Sequence, residues 1–575
     1  MRTQWWQDAV IYQVYLRSFA DGGDDGVGDL AGLRARLPYL ADLGVDGLWL
    51  NPCYRSPQRD HGYDIADYFS IDPAYGSIDE LAGLVTDAHR LGLRVMMDMV
   101  ANHCSDQHVW FQQAVVAAPG SPERDGFVFR DGRGPAGDTP PNNWHSVFGG
   151  PAWTRVAETD GTPGQWYLHS FDSSQPNFNW RNPKVAQHFD EVLRFWFDLG
   201  VDGFRIDVAH GLFAAEDLPD APEYDDGLPH HNDAMWDQPE VHDVYRTWRA
   251  IGDAYPPEPK YFIGEIWVPS PERLRAYLAP GGLHQAFNFD LLVQPWDAGR
   301  IRTAIDAGLA QAEVVGSPVA WALNNHDVHR IVTRYGQRQD LSPLDPADMI
   351  AAARRRGPVD FELGSARARA AAMLLLALPG TAYLYQGEEL GLPEVFDLPD
   401  AARQDPIWVR SDGSELGRDG CRVPLPWAAD APAFGFSAPG ASAEPWLPQP
   451  AWFGRHAVDR QDGEPTSFLN LYRDLLRARR TVFNGTEPLR WLDTGGEDVL
   501  AFARGHGICV LNFGSTPLQL PEGLVDAVVA SSSGGLTGAE LAGNHAVWLD
   551  AARVSSTSAT SGWGLTPELA GPVQR

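Results

Sequence analysis

The sequence predicts an α/β protein built on a (β/α)8 TIM barrel, with an inserted domain after strand 3 and a C-terminal all-β sandwich. Three observations support this fold class. Short apolar runs recur through the first 385 residues, helical stretches separate them, and closely spaced β-type runs replace this pattern after residue 480. A barrel with two added domains also accounts for a chain of 575 residues.

Eight apolar runs are the predicted barrel strands. They cover residues 9–16, 46–50, 93–100, 203–207, 261–265, 285–289, 320–323 and 382–385. Helical stretches such as Leu30–Leu43, Ser77–Leu91 and Pro183–Leu199 lie between them. A strand followed by a helix, repeated eight times, is the pattern of a (β/α)8 barrel.

Two long irregular segments interrupt this alternation. Residues 104–174 are rich in Gly, Pro and Trp and are too long for a plain loop, so we expect a small inserted domain there. Residues 393–463 form a second long loop after strand 8. The expected division is therefore a first barrel part at 1–103, the insert at 104–174, a second barrel part at 175–482 and the β-sandwich domain at 483–575.

The composition narrows the class of partner. The chain has 45 basic and 76 acidic side chains, a formal charge of −31, which argues against nucleic acid and anionic membranes and fits a small neutral or cationic molecule. Four widely spaced cysteines do not form a disulfide framework. No secretory signal or membrane-length apolar stretch is present, so we expect a cytoplasmic protein. The oligomeric state stays open.

Ionisable residues follow several of the predicted strands. Reactive groups of such barrels lie at the carboxyl ends of the strands, and charged groups there are costly unless they are paired or functional. Arg205 precedes Asp207 by two residues, so both side chains lie on the same side of the strand, where Arg205 keeps Asp207 ionised. The ionisable residues at strand ends are Asp98, His103, Arg205, Asp207, Glu265, His326 and Asp327.

Three of these carboxylates, on Asp207, Glu265 and Asp327, come from three different strands and are expected to face one pocket. Converging carboxylates are what glycoside hydrolysis requires: one acid protonates the leaving oxygen and another carboxylate attacks or stabilises the sugar carbon. Their pKa values must differ, which the neighbouring Arg205 favours. Salt bridges at the barrel rim are the better explanation of any single carboxylate, but they are the less favoured explanation of all of them together.

Five short motifs resemble those of the α-amylase family, glycoside hydrolase family 13. In this chain they are Asp98–His103, Gln175–Trp180, Gly203–Asp207, Gly264–Glu265 and Asn325–Asp327, and their order and spacing also match. The resemblance covers nearly the whole chain. It implies a barrel, an insert after strand 3 and a C-terminal β-sandwich, the same division that the apolar pattern indicates.

The resemblance also implies a role for each site residue. Asp207 is implied to be the nucleophile that forms a covalent glucosyl-enzyme, and Glu265 the general acid and then base. Asp327 is implied to hold sugar hydroxyls and to stabilise the transition state, and two displacements imply retained configuration. Further implied contacts to Asp207 or to the bound glucose are His103, Gln175, Arg205 and His326.

Two loops resemble those of α-glucosidases and oligo-1,6-glucosidases. Asp60–Asp64, which includes Tyr63, resembles the motif that binds the non-reducing glucose. Arg418–Pro424 resembles the loop after strand 8, and its second arginine, Arg422, is implied to pair with Asp60 and close the pocket. A closed pocket implies an exo-acting α-glucosidase that releases glucose from maltose and short α-gluco-oligosaccharides.

The sequence leaves open whether the enzyme prefers α-1,4 or α-1,6 linkages and whether it hydrolyses its substrate or transfers the glucosyl group. The valine at position 208 resembles the residue found there in α-1,6-acting members of the family, whereas Ala209–Gly211 resembles the segment of maltose-accepting α-glucosidases. In the Gln175–Trp180 motif, Asn177 stands where the family usually has Asp. The alternatives are an oligo-1,6-glucosidase, a transglucosidase, or a sucrose- or trehalose-converting isomerase of the same fold. A non-catalytic, transporter-associated relative is disfavoured by the intact set of three carboxylates.

One loop resembles a cation site, and no organic cofactor is expected. Residues 21–29 place carboxylates at alternate positions around glycines, which suits Ca²⁺ or Mg²⁺. Because position 23 has no side chain, a Gly-Asp turn without metal is the alternative. The ligands implied by the resemblance are Asp21, Gly23, Asp25, the carbonyl of Val27, and Asp29.

Overall fold

The structure is a computed structural model. It describes residues 4–222, 232–339, 341, 354–484, 487–521, 524–536 and 538–553. The last 22 residues of the predicted C-terminal domain, 554–575, lie outside the described residues.

Eight parallel strands close into a barrel, so all eight predicted strands are confirmed. They are β1 (Val10–Val14), β2 (Gly47–Leu50), β3 (Arg94–Val100), β4 (Gly203–Asp207), β5 (Tyr261–Gly264), β6 (Gln285–Asn288), β7 (Ala320–Ala322) and β8 (Thr381–Tyr385). The barrel is closed because β1 pairs in parallel with β2 on one side and with β8, the last strand, on the other.

Amphipathic helices cover the outside of the barrel. Three of these helices begin at a polar N-cap residue whose side chain accepts a backbone N–H group of the first turn. The N-cap residues are Asp29, Ser77 and Asn182. Gly44 and Gly200 end two of these helices in the left-handed conformation that glycine adopts most easily. Helices of the barrel and its loops are Leu30–Leu43, Ile78–Arg90, Pro183–Leu199, Val241–Asp253, Pro271–Tyr277, Phe289–Leu292, Ala298–Val315, Ile331–Gly336, Phe361–Ala377, Pro406–Arg410, Val458–Asp462 and Phe468–Val482.

Alternate residues of the strands fill the barrel interior with apolar side chains. Ile11, Met96 and Ile263 belong to one buried cluster inside the ring of strands. Since side chains two residues apart on a strand share a face, Asp98 continues the interior row that Met96 begins. The apolar interior therefore ends in charged side chains at the carboxyl end of the barrel.

Additional sheets lie where the sequence predicts the inserted and C-terminal domains. The insert contains the helix Val109–Val116 and a three-stranded antiparallel sheet, and a hairpin follows β2. The strands are Tyr54–Arg55 and Asp67–Ile71 in the hairpin, and Phe129–Arg130, Trp153–Ala157 and Pro163–Leu168 in the insert. The C-terminal strands form a five-stranded sheet from Arg490–Trp491, Val499–Arg504, Gly507–Asn512, His545–Asp550 and Val528–Ser531, and a two-stranded sheet from Leu518–Gln519 and Glu540–Leu541.

The four cysteines are buried and unpaired, in agreement with the predicted lack of a disulfide framework. In the described part of the chain, no helix combines the length and the apolar character needed to cross a membrane.

Candidate active site

Charged side chains cluster at the carboxyl end of the barrel, as predicted from the strand ends. Asp98 lies on β3, Arg205 and Asp207 lie on β4, and Glu265 directly follows β5. Asp327 follows β7 and lies next to His326, with 3.3 Å between the His326 Nε2 and Asp327 Oδ2 atoms. The structure thus brings the three predicted carboxylates to one end of the barrel.

Arg205 links three carboxylates. Its Nη1 lies 2.6 Å from Asp207 Oδ1 and 2.9 Å from Asp98 Oδ1, and its Nη2 donates to Glu265 Oε2. Burial raises the pKa of Asp98 to about 6 and raises that of Asp207 well above its usual range, while Arg205 opposes both shifts. A single guanidinium therefore holds two of the predicted reacting groups side by side. The prediction that Arg205 keeps Asp207 ionised is wrong, because burial and the neighbouring Glu265 and Asp98 outweigh the arginine.

Glu265 is held through both of its oxygens. The Val208 N–H lies 3.3 Å from Oε2, and the Trp267 indole N–H donates to Oε1 at 3.2 Å. The Glu265 side chain is 15% exposed and that of Asp207 is 9% exposed, so both reach the open space above the barrel. The two carboxylates can therefore contact the same substrate bond.

Asp327 lies among positive groups. Its Oδ1 lies 3.1 Å from Arg418 Nη1 and 3.3 Å from Arg422 Nη2. Burial alone would raise the pKa of Asp327, but the adjacent His326 ring and the positive charges of Arg418 and Arg422 hold it well below its usual range. Asp327 is therefore ionised at neutral pH and, at 20% exposure, remains open to a ligand.

His326 and Tyr63 form a stacked pair that joins the two sides of the site. Their rings are parallel at 5.4 Å, and the Tyr63 hydroxyl lies 2.9 Å from His326 Nε2 and 3.1 Å from Asp98 Oδ2. Burial lowers the pKa of His326 well below its usual value, so the ring is neutral. Gln13 Nε2 donates to Nδ1 at 2.7 Å, which leaves the ring proton on Nε2, and the Asn51 amide donates to Tyr63 at 2.7 Å.

Asp60 pairs with Arg418, so the predicted Asp60–Arg422 pair is wrong. Arg418 Nη2 lies 2.9 Å from Asp60 Oδ1. Arg422 instead donates from Nε to the His326 carbonyl at 2.9 Å and lies over the Tyr15 ring at 5.2 Å. The short 3-10 turn between the two arginines separates their directions, and Arg422 is fixed beneath Asp327.

Gln175 and His103 lie next to the Asp60–Arg418 pair. Gln175 donates from Nε2 to Asp60 Oδ2 at 3.0 Å, and the same nitrogen lies 3.2 Å from His103 Nε2. Burial lowers the pKa of His103 to about 4, so this ring is also neutral. The predicted substrate contacts thus belong to one network of hydrogen bonds, although the pairing of the arginines differs from the prediction.

Sequence reasoning missed several side chains of the site. Gln13 is a polar residue on the interior face of β1, and Asn51 directly follows β2. The strand-end rule applied to Asp98 would have found both. Trp267 and Arg418 carried no such signal, because an indole three residues after a strand and an arginine in an irregular loop are both common.

The 21–29 loop brings together only part of the expected cation ligands. Asp21 Oδ1 is buried without a hydrogen-bond partner, and a Cβ at Gly23 would lie 3.5 Å from it and 3.4 Å from Asp29 Oδ2. Asp25 accepts the Val27 N–H at 2.9 Å instead of turning toward Asp21. Among the described residues, no three His, Cys, Asp or Glu side chains are placed to hold one metal ion. Asp29 accepts the backbone N–H groups of Gly22, Gly23 and Gly32 with its two oxygens, so it serves first to hold the loop.

A closed parallel barrel with these carboxylates at its carboxyl end defines an α-amylase-type glycoside hydrolase. The sequence model described as "Alpha amylase, catalytic domain" matches residues 13–484, and the chain belongs to this family. The resemblance seen in the five motifs is thereby confirmed.

Known relatives place the chain among enzymes that act on α-glucosides. It is 36% identical over 534 residues to a probable alpha-glucosidase of Rhizobium meliloti (strain 1021), covering 88% of this chain and 89% of that protein. It is 34% identical to an alpha-glucosidase of Culex pipiens, covering 88% and 81% of the two chains. An oligo-1,6-glucosidase of Heyndrickxia coagulans is 32% identical, with 83% and 86% covered.

Solved structures of similar proteins include an alpha-glucosyl transfer enzyme and a trehalulose synthase. The alpha-glucosyl transfer enzyme XgtA matches with a TM-score of 0.80 and 36% identity, covering 95% of this chain and 99% of that one. The trehalulose synthase MutB from Pseudomonas mesoacidophila matches with a TM-score of 0.81 and 29% identity, covering 96% and 100%.

Proposed function

We propose that this enzyme is a retaining, exo-acting α-glucosidase that releases glucose from the non-reducing end of maltose and short α-gluco-oligosaccharides. The observation that carries the proposal is the pair of carboxylates on one guanidinium, Asp207 and Glu265 on Arg205. Two carboxylates held by one guanidinium favour the distance of about 5–5.5 Å between carboxyl groups that retaining enzymes have, over the roughly 6.5–9.5 Å of inverting enzymes.

The positions of the carboxylates support a double displacement. Asp207 attacks the anomeric carbon, and Glu265 donates its proton to the departing glycosidic oxygen. In the second step Glu265 takes a proton from water, which attacks the same face that the first sugar left, and configuration is retained. Asp327, kept ionised by its arginines, binds sugar hydroxyls and stabilises the positive charge that develops on the sugar.

The Asp60–Arg418 pair supports action from the chain end. It forms one polar network with Gln175 and His103, and we expect this network to lie where a further glucose unit of a longer chain would continue. A terminal glucose fits against these polar groups, whereas an internal glucose carries a substituent there. We therefore expect one glucose to be released at each turnover.

Product analysis on maltose, isomaltose, sucrose and trehalose tests this function. Glucose released from maltose, with no larger product at early times, supports the proposal. Faster release from isomaltose supports an oligo-1,6-glucosidase, an outcome that Val208 beside the nucleophile favours. No glucose from any of the four sugars contradicts the proposal.

Transfer of glucosyl groups is the second candidate. The likeness to XgtA and to trehalulose synthase over at least 95% of this chain favours it. The first step is then the same, but a sugar acceptor replaces water in the second. Products longer than the substrate, or isomers of sucrose or trehalose, identify this reaction in the same experiment.

We further propose that Asp21 and Asp29, with the carbonyl oxygens of Gly23 and Val27, hold a Ca²⁺ or Mg²⁺ ion. The unpartnered, buried Asp21 oxygen supports this ligand set. Millimolar Ca²⁺ or Mg²⁺ is then expected to raise the melting temperature of the EDTA-treated protein by a few degrees. The Asp21→Asn variant should lose this response, and an unchanged melting temperature in the wild type contradicts the site.

We also propose a cytoplasmic location, which the four free, buried thiols support. Fractionation of the producing cells, with the enzyme detected by antibody, tests it.

A further inference from the structure

The loop after β8 contains a buried carboxylate that the proposed mechanism does not use. Asp405 is fully buried, and its Oδ2 accepts from the Arg418 Nε at 2.7 Å and from the Arg418 backbone N–H at 2.6 Å. Its Oδ1 lies 3.2 Å from Arg418 Nη2 and accepts the Ile407 N–H at 2.9 Å. Most of its contacts therefore go to one arginine.

The Arg418 guanidinium contacts both Asp405 and the site residues Asp327 and Asp60. Nε and Nη2 face Asp405, while Nη1 faces Asp327 at 3.1 Å and Nη2 also reaches Asp60 at 2.9 Å. The Phe148 ring lies 5.4 Å from the Arg418 Cζ. An arginine side chain loses rotamer freedom when it is fixed in one position, and these contacts remove that freedom before a sugar arrives.

Asp405 is itself held in place by the residue next to Arg418. Asp419 Oδ2 accepts the backbone N–H groups of Gln404 at 2.8 Å and Asp405 at 3.1 Å. Residues 404–405 and 418–419 therefore hold each other through two carboxylates. The position of Asp405 is fixed by the loop and does not depend on a bound ligand.

We propose that Asp405 is a positioning residue that holds Arg418 between Asp60 and Asp327 and thereby sets the affinity for the terminal glucose. This inference rests on the proposed function, because it assumes that the pocket binds glucose. Without the Asp405 carboxylate, the guanidinium moves toward the other two carboxylates and occupies the oxygens that sugar hydroxyls need.

A double-mutant cycle tests the proposal through glucose binding measured by calorimetry, which requires no turnover. Asp405→Asn is expected to weaken glucose binding about 10-fold or more, because a hydrogen-bonded charge pair is lost. The KM for p-nitrophenyl α-glucoside rises in parallel, with kcat changed less. In an Arg418→Ala background the same substitution should change glucose binding by less than about twofold, because Asp405 acts only through Arg418.

Asp72→Asn is the matched control. Asp72 is a buried carboxylate that accepts two backbone N–H groups, from Ser56 and Ala74, in the hairpin after β2. Its loss should lower the melting temperature without a comparable loss of glucose affinity. If Asp405→Asn fails to fold, Asp405→Glu keeps the charge, displaces the carboxylate by one methylene, and should lose part of the affinity.

Two results overturn the inference: unchanged glucose binding in a folded Asp405→Asn protein, or an equal loss in the wild-type and Arg418→Ala backgrounds. The second result would mean that Asp405 only stabilises the loop. A wild-type protein that binds glucose but hydrolyses no α-glucoside counts against the proposed function and not against this inference.

Discussion

Two arginine-centred groups of the site use the same kinds of side chain differently. The Arg205 cluster has one arginine for Asp98, Asp207 and Glu265, and burial raises the pKa of both aspartates. The Arg418 cluster has two arginines, Arg418 and Arg422, for three aspartates.

The balance of charge in each cluster fits its proposed role. In the Arg418 cluster, the arginines hold the pKa values of Asp327 and Asp405 well below their usual range, although burial still raises that of Asp60. A group that binds sugar hydroxyls and stabilises positive charge works best as a permanent anion, and Arg418 and Arg422 favour that form of Asp327. The number of nearby arginines separates the two clusters.

The largest expected effect is in the Arg205 cluster. Asp207→Asn and Glu265→Gln should each lower kcat/KM for p-nitrophenyl α-glucoside by more than about 10³-fold, because nucleophile and proton donor are lost. Steady-state kinetics of purified, folded variants measure this. Near-normal turnover in either variant contradicts the assignment of that residue.

The next effect separates the two clusters through matched substitutions. Arg205→Lys removes the fork that holds two carboxylates and should lower kcat about 10²-fold or more, whereas Arg418→Lys should chiefly raise KM, by about 10-fold. The same enzyme preparations, compared over a range of maltose concentrations, provide both constants. If both variants change kcat and KM in the same proportion, the two clusters do not divide the work as described.

The smallest expected effect is on the pH dependence of stability. The pKa of Asp98 is raised from 3.8 to about 6, so between these pH values the folded protein holds a proton that the unfolded chain releases. The contribution of Asp98 to folding is therefore complete below about pH 4 and is lost as the pH rises through 6. Asp327 behaves oppositely, because its lowered pKa stabilises the fold at every pH above about 4.

Melting curves of wild type and Asp98→Asn from pH 4 to pH 7 measure this contribution. Relative to Asp98→Asn, the wild type should lose a few degrees of melting temperature as the pH rises across this window. A difference between the two proteins that stays constant with pH would show that Asp98 does not titrate there.

The sequence was sufficient to predict the barrel and its carboxylates, but not how the arginines pair. Strand ends such as those at Asp98 and Asp207 follow from apolar runs, and the barrel geometry then brings them to one place. Arg418 and Arg422 lie four residues apart in one irregular loop, and the turn between them decides which reaches Asp60. Asp405, thirteen residues before Arg418, is connected to it only by the folded loop.

The anomeric form of the first glucose released from maltose tests the central claim most directly. Asp207 attacks the anomeric carbon on the face opposite the leaving group, and water then attacks on the face opposite Asp207, so two inversions retain the configuration. Proton NMR during the first seconds to minutes of hydrolysis, before the anomers equilibrate, should show α-glucose in excess. An initial excess of β-glucose would mean a single displacement by water and would contradict the role of Asp207.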